Sequence, residues 1–223
     1  MLTDKDDVMK YNEEYTHKYN GHSTCVLRPK TTEEVSKLLA HCNTRKLAVI
    51  PQGGRTSLVA GATATFDEIV INVERMNKIY DLSPYTGILK LQAGVILEDA
   101  ERYCNEKGFV FPLDLGAKGS CQIGGNLGAN AGGLHFLKYG SLHGNTIGLR
   151  AVLPDGRILD TLDSHRKDNT GYDLKQLFIG AEGTLGIITD ASILCYPLPK
   201  STSLCILSVP SFNEVKDILI KVI

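Results

Sequence analysis

The chain has 223 residues, 43% hydrophobic and 22% charged, with 24 Lys plus Arg against 25 Asp plus Glu and a net charge of -1. That is apolar material enough for a real core and the length of one ordinary domain or two small ones, and the lack of excess positive charge argues against a nucleic-acid partner. Six cysteines (Cys25, Cys42, Cys104, Cys121, Cys195, Cys205) form no C-x-x-C pair, which fits neither a disulfide framework nor a zinc site and points to a reducing compartment.

Residues 1–20 are polar and tyrosine-rich (Tyr11, Tyr15, Tyr19) and read as an arm or short helix without visible chemistry. The acids Asp4, Asp6, Asp7, Glu13 and Glu14, with no arginine, give neither a signal nor a transit peptide, and no apolar run reaches the roughly 18 residues of a membrane span. Cys25–Pro29 reads as a short strand. Thr31 and Glu34 form a capping box that opens a helix with Val35, Leu38, Leu39 and Cys42 on its apolar face, ending near Asn43. Leu47–Ile50 and Ile69–Val73 are continuous apolar runs of the buried-strand type, so the first unit is a β-α-β crossover. Ile88–Gly94 is a further strand and Leu97–Lys107 a helix capped by Gly108. Thr146–Leu153 and Ile158–Leu159 form a hairpin across the turn Pro154-Asp155-Gly156-Arg157. Leu174–Ile179 reads as a short helix leading to a strand that continues through Ile193. Leu204–Val209 is expected to be a strand, followed by a helix from Ser211 to Ile223. The sequence stops inside that element, so the protein is expected to continue.

Three stretches carry chemistry. Pro51–Ser57 follows a buried strand with two adjacent glycines, a loop whose amides can form an anion nest for a diphosphate, or equally a turn at a solvated surface. It is neither a P-loop nor the G-x-G-x-x-G of a nicotinamide-binding fold. Leu113–Gly148 holds ten of the 22 glycines, interleaved with Ala117, Ser120, Ala129 and Ala131 and free of proline. Leu113, Leu115, Ile123, Leu127, Leu134 and Leu137 distinguish it from a linker, and glycine at this density marks close approach to the backbone, as by a flat phosphate-bearing ligand. Gly180–Thr189 is a third turn running into a strand.

Read together, P-x-G-G-x-T-x-L, L-D-L-G-A-K-G-S-C-x-I-G-G-N, N-A-G-G and G-A-E-G-T-L-G-I-I-T resemble the FAD-binding domain of the vanillyl-alcohol-oxidase (PCMH-type) flavoproteins. L-H-G-N-T-I-G-L-R-A-V-L-P-D-G-R-I-L-D and R-K-D-N-T-G-Y-D-L-K-Q-L-F-I-G look like the branch that oxidises D-2-hydroxy acids, in particular the D-2-hydroxyglutarate dehydrogenases. The resemblance covers about residues 11–220. It implies an α+β fold: an arm over 1–20, a PCMH-type FAD-binding domain over 21–202 with subdomains of about 21–82 and 83–202, and the start of a truncated substrate or cap domain over 203–223. Position by position, Gly53, Gly54, Arg55, Thr56 and Ser57 would hold the FAD pyrophosphate through main-chain amides, with Gly61 and Ala62 closing the loop. Pro112, Leu113, Gly116, Ala117, Ser120, Cys121, Gly124, Gly125 and Asn126 would line the ribityl chain and flavin ring, continued by Asn130, Gly132 and Gly133. Glu182, Gly183, Gly186, Ile187 and Ile188 would meet the adenosine end.

The implied reaction is FAD-dependent oxidation of a D-2-hydroxy acid, foremost D-2-hydroxyglutarate to 2-oxoglutarate with hydride passing to flavin N5. D-lactate or glycolate dehydrogenation and a noncatalytic FAD-binding module are the alternatives. Electrons would leave to an electron-transfer flavoprotein or a quinone, and the location implied is mitochondrial, otherwise cytoplasmic. Covalent members attach the flavin to a histidine in the loop where this chain has Arg55, so noncovalent FAD is expected. Catalytic groups and a divalent metal such as zinc are expected only in the cap domain; His135 and His143 read as structural rather than as a metal pair, Cys121 as a small buried residue rather than a nucleophile, and Tyr139, Tyr172 and Asp173 as packing or caps rather than substrate contacts. The family usually has glycine at the positions of Ser57 and Ala60, where a Cβ at positive φ would cost on the order of a kilocalorie per mole and weaken FAD binding.

Overall fold

A computed structural model describes residues 1–162 and 165–222. The first unit is a parallel sheet of β1 (Val26–Leu27), β3 (Ile69–Asn72) and β2 (Val49–Gln52) in that spatial order, with α2 (Thr32–Thr44) as the crossover. The capping box forms as expected, Thr31 Oγ1 accepting from Glu34 N at 3.2 Å. β2 runs on through Pro51 to Gln52 because it lies at the sheet edge, where proline removes no ladder bond. Ahead of it α1 (Lys5–Asn12) packs Val8 and Tyr11 into a small core with Val26, Ala64 and Val70.

The second unit is an antiparallel sheet ordered β4 (Ile79–Leu82), β5 (Ile88–Gln92), β9 (Ile187–Leu194), β7 (Thr146–Val152), β8 (Ile158–Asp160). Since β4 pairs with β5, the change of sheet falls between Asn72 and Ile79. Central β9 is buried along nearly its whole length. α3 (Leu97–Glu106) leads to β6 (Phe109–Val110), which pairs with β10 (Tyr196–Pro197). The β7–β8 hairpin reaches back to the first unit, where Ser36 Oγ of α2 donates to Gly156 O at 2.6 Å.

The glycine-rich stretch is a short helix, α4 (Ile123–Gly128), followed by the single turns α5 (Phe136–Tyr139) and α6 (Leu142–Asn145). Helix propensity argues against α4, yet tertiary bonds override it: Ile123 N donates to Val95 O at 3.0 Å and Gly124 N to Ala93 O at 2.7 Å. Leu113, Ile123 and Leu127 enter the core, whereas Leu134 and Leu137 are exposed.

Two expectations need correction. Leu174–Leu177 is one 3-10 turn rather than a helix through Ile179. Leu204–Val209 forms no strand; Leu204 and Ile206 are 87% exposed, since no strand edge is offered to their backbone among the described residues. α7 (Phe212–Val222) forms but buries none of its residues, and the last expected helical position, Ile223, lies outside the described residues. Among the described residues, no helix is long and apolar enough to cross a membrane.

Candidate functional site

Three backbone segments meet at one cleft of about 440 Å³ between the two sheets. The end of β2 and its loop supply residues 51–59, Gly61 and Ala62, α4 supplies Gly124, Gly125 and Asn126, and the turn into β9 supplies Glu182, Gly183, Gly186, Ile187 and Ile188. The loop is fixed from behind. Val73 N donates to Gln52 O at 3.1 Å and Asn72 Nδ2 to Gly53 O at 3.2 Å. In a planar trans peptide the N–H lies antiparallel to its carbonyl, so these bonds turn the amides of Gly53 and Gly54 away from β3, as an anion nest needs. Gln52 holds the arrangement by donating to Tyr11 O and Ala62 O, both at 2.9 Å, and accepting from Asn72 Nδ2 at 3.0 Å.

Approach of the segments requires missing side chains. A Cβ on Gly54 would stand 2.2 Å from Ser120 O, so the loop and the turn before α4 touch main chain to main chain. Gly125 is different: a Cβ there meets nothing within 4 Å, and the residue faces the cleft.

Tyr11 lies beneath the loop, its hydroxyl donating to Glu74 Oε1 at 2.6 Å, and Arg28 Nη1 donates to the same oxygen at 3.0 Å. Burial raises the Tyr11 phenol, with the bond to Glu74 adding to the rise. Burial also pushes Glu74 up, but its bonds from Tyr11 and Arg28 outweigh that and hold its carboxyl below the usual range. The network is therefore an ionised carboxylate under a neutral phenol.

Of the expected residues, Gly53, Gly54, Arg55, Thr56, Ser57, Gly61, Ala62, Gly124, Gly125, Asn126, Glu182, Gly183, Gly186, Ile187 and Ile188 line the cleft. Pro112, Leu113, Gly116, Ala117, Ser120, Cys121, Asn130, Gly132 and Gly133 do not. Pro112, Leu113 and Cys121 are buried in the body of the domain, Gly116, Ala117 and Ser120 belong to the turns that lead into α4, and Asn130 Oδ1 accepts from His143 N at 3.1 Å. Sequence reasoning passed over Gln122, Val73, Leu115 and the small residues Gly128, Ala129 and Ala131, all in the lining. It also passed over Tyr11, whose only signal was an aromatic residue in a polar arm.

Burial raises the Cys121 thiol, as suits a packed side chain. Cys104 and Cys195, 91 residues apart, bring their Sγ atoms to 3.6 Å in the core as free thiols. His143 Nδ1 contacts Gln176 Oε1, and His135 stands edge-on to Tyr139 at 5.7 Å. Tyr139 stacks on Tyr196 at 4.6 Å, Asp173 accepts from Lys175 Nζ at 2.6 Å, and Tyr172 is 94% exposed.

What the cleft lacks is protein partners for some of its own atoms. Arg55 Nη1, Gln122 Oε1 and Asn126 Nδ2 are buried without a hydrogen-bond partner, where buried polar atoms are ordinarily paired. Two donors, one acceptor, amides turned outward and an open glycine face form a cradle that fits a dinucleotide carrying a diphosphate and a planar ring.

The FAD_binding_4 family model, described as "FAD binding domain", matches residues 23–162. The chain belongs to this family of FAD-binding domains. Among similar proteins, the putative mitochondrial D-lactate dehydrogenase C713.03 of Schizosaccharomyces pombe is 53% identical over 213 residues, covering 96% of this chain and 40% of that protein. The mitochondrial D-2-hydroxyglutarate dehydrogenase of Rattus norvegicus is 52% identical over 215 residues, again 96% of this chain and 40% of the relative. The chain thus spans about 40% of the length of these curated relatives. A solved alkyldihydroxyacetonephosphate synthase superposes with a TM-score of 0.79 at 23% identity, over 90% of this chain and 38% of that one. This likeness carries the PCMH-type FAD-binding fold expected from the motifs.

Proposed function

We propose that the cleft binds FAD noncovalently and that the protein oxidises a D-2-hydroxy acid, foremost D-2-hydroxyglutarate. The observation that carries this reading is the convergence of three side-chain-poor segments on one cleft whose Arg55, Gln122 and Asn126 hold unpartnered buried atoms. Amides of residues 53–57 would meet the diphosphate, α4 with Gly125 the flat ring system, and residues 182–188 the adenosine end. Noncovalent attachment is supported by the lining, which among the described residues includes no histidine, cysteine or tyrosine. When bound, FAD supplies the two-electron acceptor; the chain's own residues hold it, orient it and keep water from one side of the ring.

Residues 21–202 are read as the FAD-binding domain and 203–223 as the opening of a substrate domain, which the exposed apolar positions of α7 support. Substrate-binding and metal-binding groups are assigned to that domain, electron delivery to an electron-transfer flavoprotein or quinone, and location to mitochondria by likeness to the named relatives. D-lactate is the second substrate reading, favoured by the fission-yeast relative.

Purified protein should show a flavin absorption spectrum whose chromophore stays in the supernatant after acid precipitation. A colourless protein that does not take up added FAD would refute the cofactor assignment. Residues 1–223 alone should show no turnover, and dye-linked oxidation of D-2-hydroxyglutarate against D-lactate by the intact protein separates the substrates.

A further inference from the structure

Arg55 lines the cleft with a strained backbone and a charge that no ion pair answers among the described residues. Its φ is +59°, in the left-handed region that residues with a Cβ enter at a cost. Such strain persists where surroundings enforce it and is a pointer to function. The guanidinium lies 5.1 Å over the ring of Tyr11, which is 0% exposed. Tyr11 is held by its hydroxyl, which donates to Glu74, and by its main-chain carbonyl, which accepts from Gln52 Nε2. Nη1 is buried without a partner, and among the described residues Arg55 makes no ion pair; the nearby carboxylate of Glu74 is already taken by Arg28 at 3.0 Å.

A half-buried guanidinium placed on an aromatic ring, with one buried spare donor beside a diphosphate-sized cleft, is built for an anion. Its planar fork suits two phosphate oxygens, and the ring beneath it supplies a cation–π seat. We infer that the Arg55 side chain, seated on Tyr11, is the cation that pairs with the diphosphate of the bound dinucleotide, and that α1 is thereby part of the cofactor site. The inference rests on the FAD reading and adds a charged side chain where that reading uses main-chain amides. Tyr11 acts as a positioning residue.

The test uses the full chain stripped of flavin, with calorimetric titration of FAD and of ADP at low and high salt. Arg55→Met should lose roughly 10- to 100-fold in affinity for both ligands and show a shallower salt dependence than wild type, which a merely structural role would not alter. Arg55→Lys should recover part of the loss. Tyr11→Leu should weaken FAD binding, while Tyr11→Phe, which keeps the ring, should stay near wild type; thermal melts of each ligand-free variant and the binding stoichiometry separate affinity from folding. Wild-type affinity and salt slope in folded Arg55→Met would overturn the role of Arg55 while leaving FAD in the cleft. Wild-type protein that binds neither FAD nor ADP would overturn both.

Discussion

At Ile187 and Ile188 strand β9 edges the cleft, where Arg55, Gln122 and Asn126 carry buried polar atoms without protein partners. Two residues on, at Asp190, the same strand enters a region where every charge is answered. Asp190 is 1% exposed; Oδ1 accepts from Tyr80 Oη at 2.7 Å, Oδ2 accepts from Thr32 Oγ1 at 3.1 Å, and Arg150 Nη1 stands 3.6 Å away. Arg150 in turn grips Asp160 at 2.8 Å. The closed network ties α2 of the first unit to β4, β7 and β9 of the second, so its task is to fix one sheet against the other. The open set at the cleft has that rigid frame on both sides and leaves its own polar atoms for a ligand. Unpartnered buried atoms also occur outside the cleft, at Arg28 Nε, Glu101 Oε1, His135 Nδ1 and Ser192 Oγ; what sets the cleft apart is that three of them, at Arg55, Gln122 and Asn126, line one cavity.

The largest effect should come from breaking the closed side. Asp190→Ala takes the buried carboxylate from the Tyr80 and Thr32 hydroxyls while Arg150 keeps Asp160; losing two hydrogen bonds to a charged group, each worth about 1.5–3 kcal/mol, should cost about 3–5 kcal/mol. Urea unfolding should show that loss, while the folded fraction keeps its FAD affinity. A variant of normal stability with lost FAD binding would erase the distinction between the two regions.

The cleft can be split the same way with two glycines. Gly54→Ala forces a Cβ to 2.2 Å from Ser120 O and should cost about 1–3 kcal/mol of stability together with FAD binding. Gly125→Ala puts its methyl into open space within a helix, so the ligand-free protein should be unchanged or gain up to about 1 kcal/mol. FAD affinity should nevertheless drop about tenfold or more, because the methyl occupies ligand space. Chemical denaturation and flavin titration on the same two variants check both signs.

A smaller effect probes the closed network by pH. Burial, then the hydrogen bond to Asp190, pushes Tyr80 up from 10.0 to about 12. Between those values the unfolded chain has released a proton that the folded one keeps, so stability falls with rising pH. The contribution is whole below pH 10 and is lost by about pH 12. Tyr80 is 40% exposed, and solvent screening reduces its worth to about 1 kcal/mol. Tyr80→Phe should cost that much at neutral pH and flatten the decline above pH 10, as read by denaturant midpoints across the range.

The open region was more legible in sequence than the closed one, for a physical reason. Glycine-rich segments after strands announce backbone approach locally, and their motifs carry the family resemblance through which residues 53–57, 124–126, 182, 183 and 186–188 were named before any coordinates. Thr32, Tyr80, Arg150 and Asp190 carry no local signal, since their partners lie up to 158 positions away. β4 hid in Ile79-Tyr80-Asp81-Leu82, whose weak alternation reflects an edge position. The same limit bears on the nine wall residues outside the cleft lining: density of glycine told that the stretch is approached closely, but Gly133 is approached by the protein itself, a Cβ there meeting Asp114 O at 2.3 Å. Gln122 was missed because a lone amide reads as surface until its burial is known.

Of the two departures from the family's usual glycines, only one sits where a Cβ matters. Ala60 has φ +56°, whereas Ser57 is absent from the positive-φ positions. Ala60 N- and C-terminal neighbours Val59 and Gly61 both line the cleft, and its carbonyl accepts from Thr63 N at 3.0 Å, closing the turn that brings the loop back toward Ala62. A side chain in the left-handed region costs about 1–2 kcal/mol, of which glycine returns part as extra chain entropy in the unfolded state. Ala60→Gly should therefore stabilise the ligand-free protein by about 0.5–1 kcal/mol, while Ser57→Gly should give no gain. Thermal melts of the two single variants decide the matter, and an equal gain from both would mean that the loop's strain is not held at Ala60.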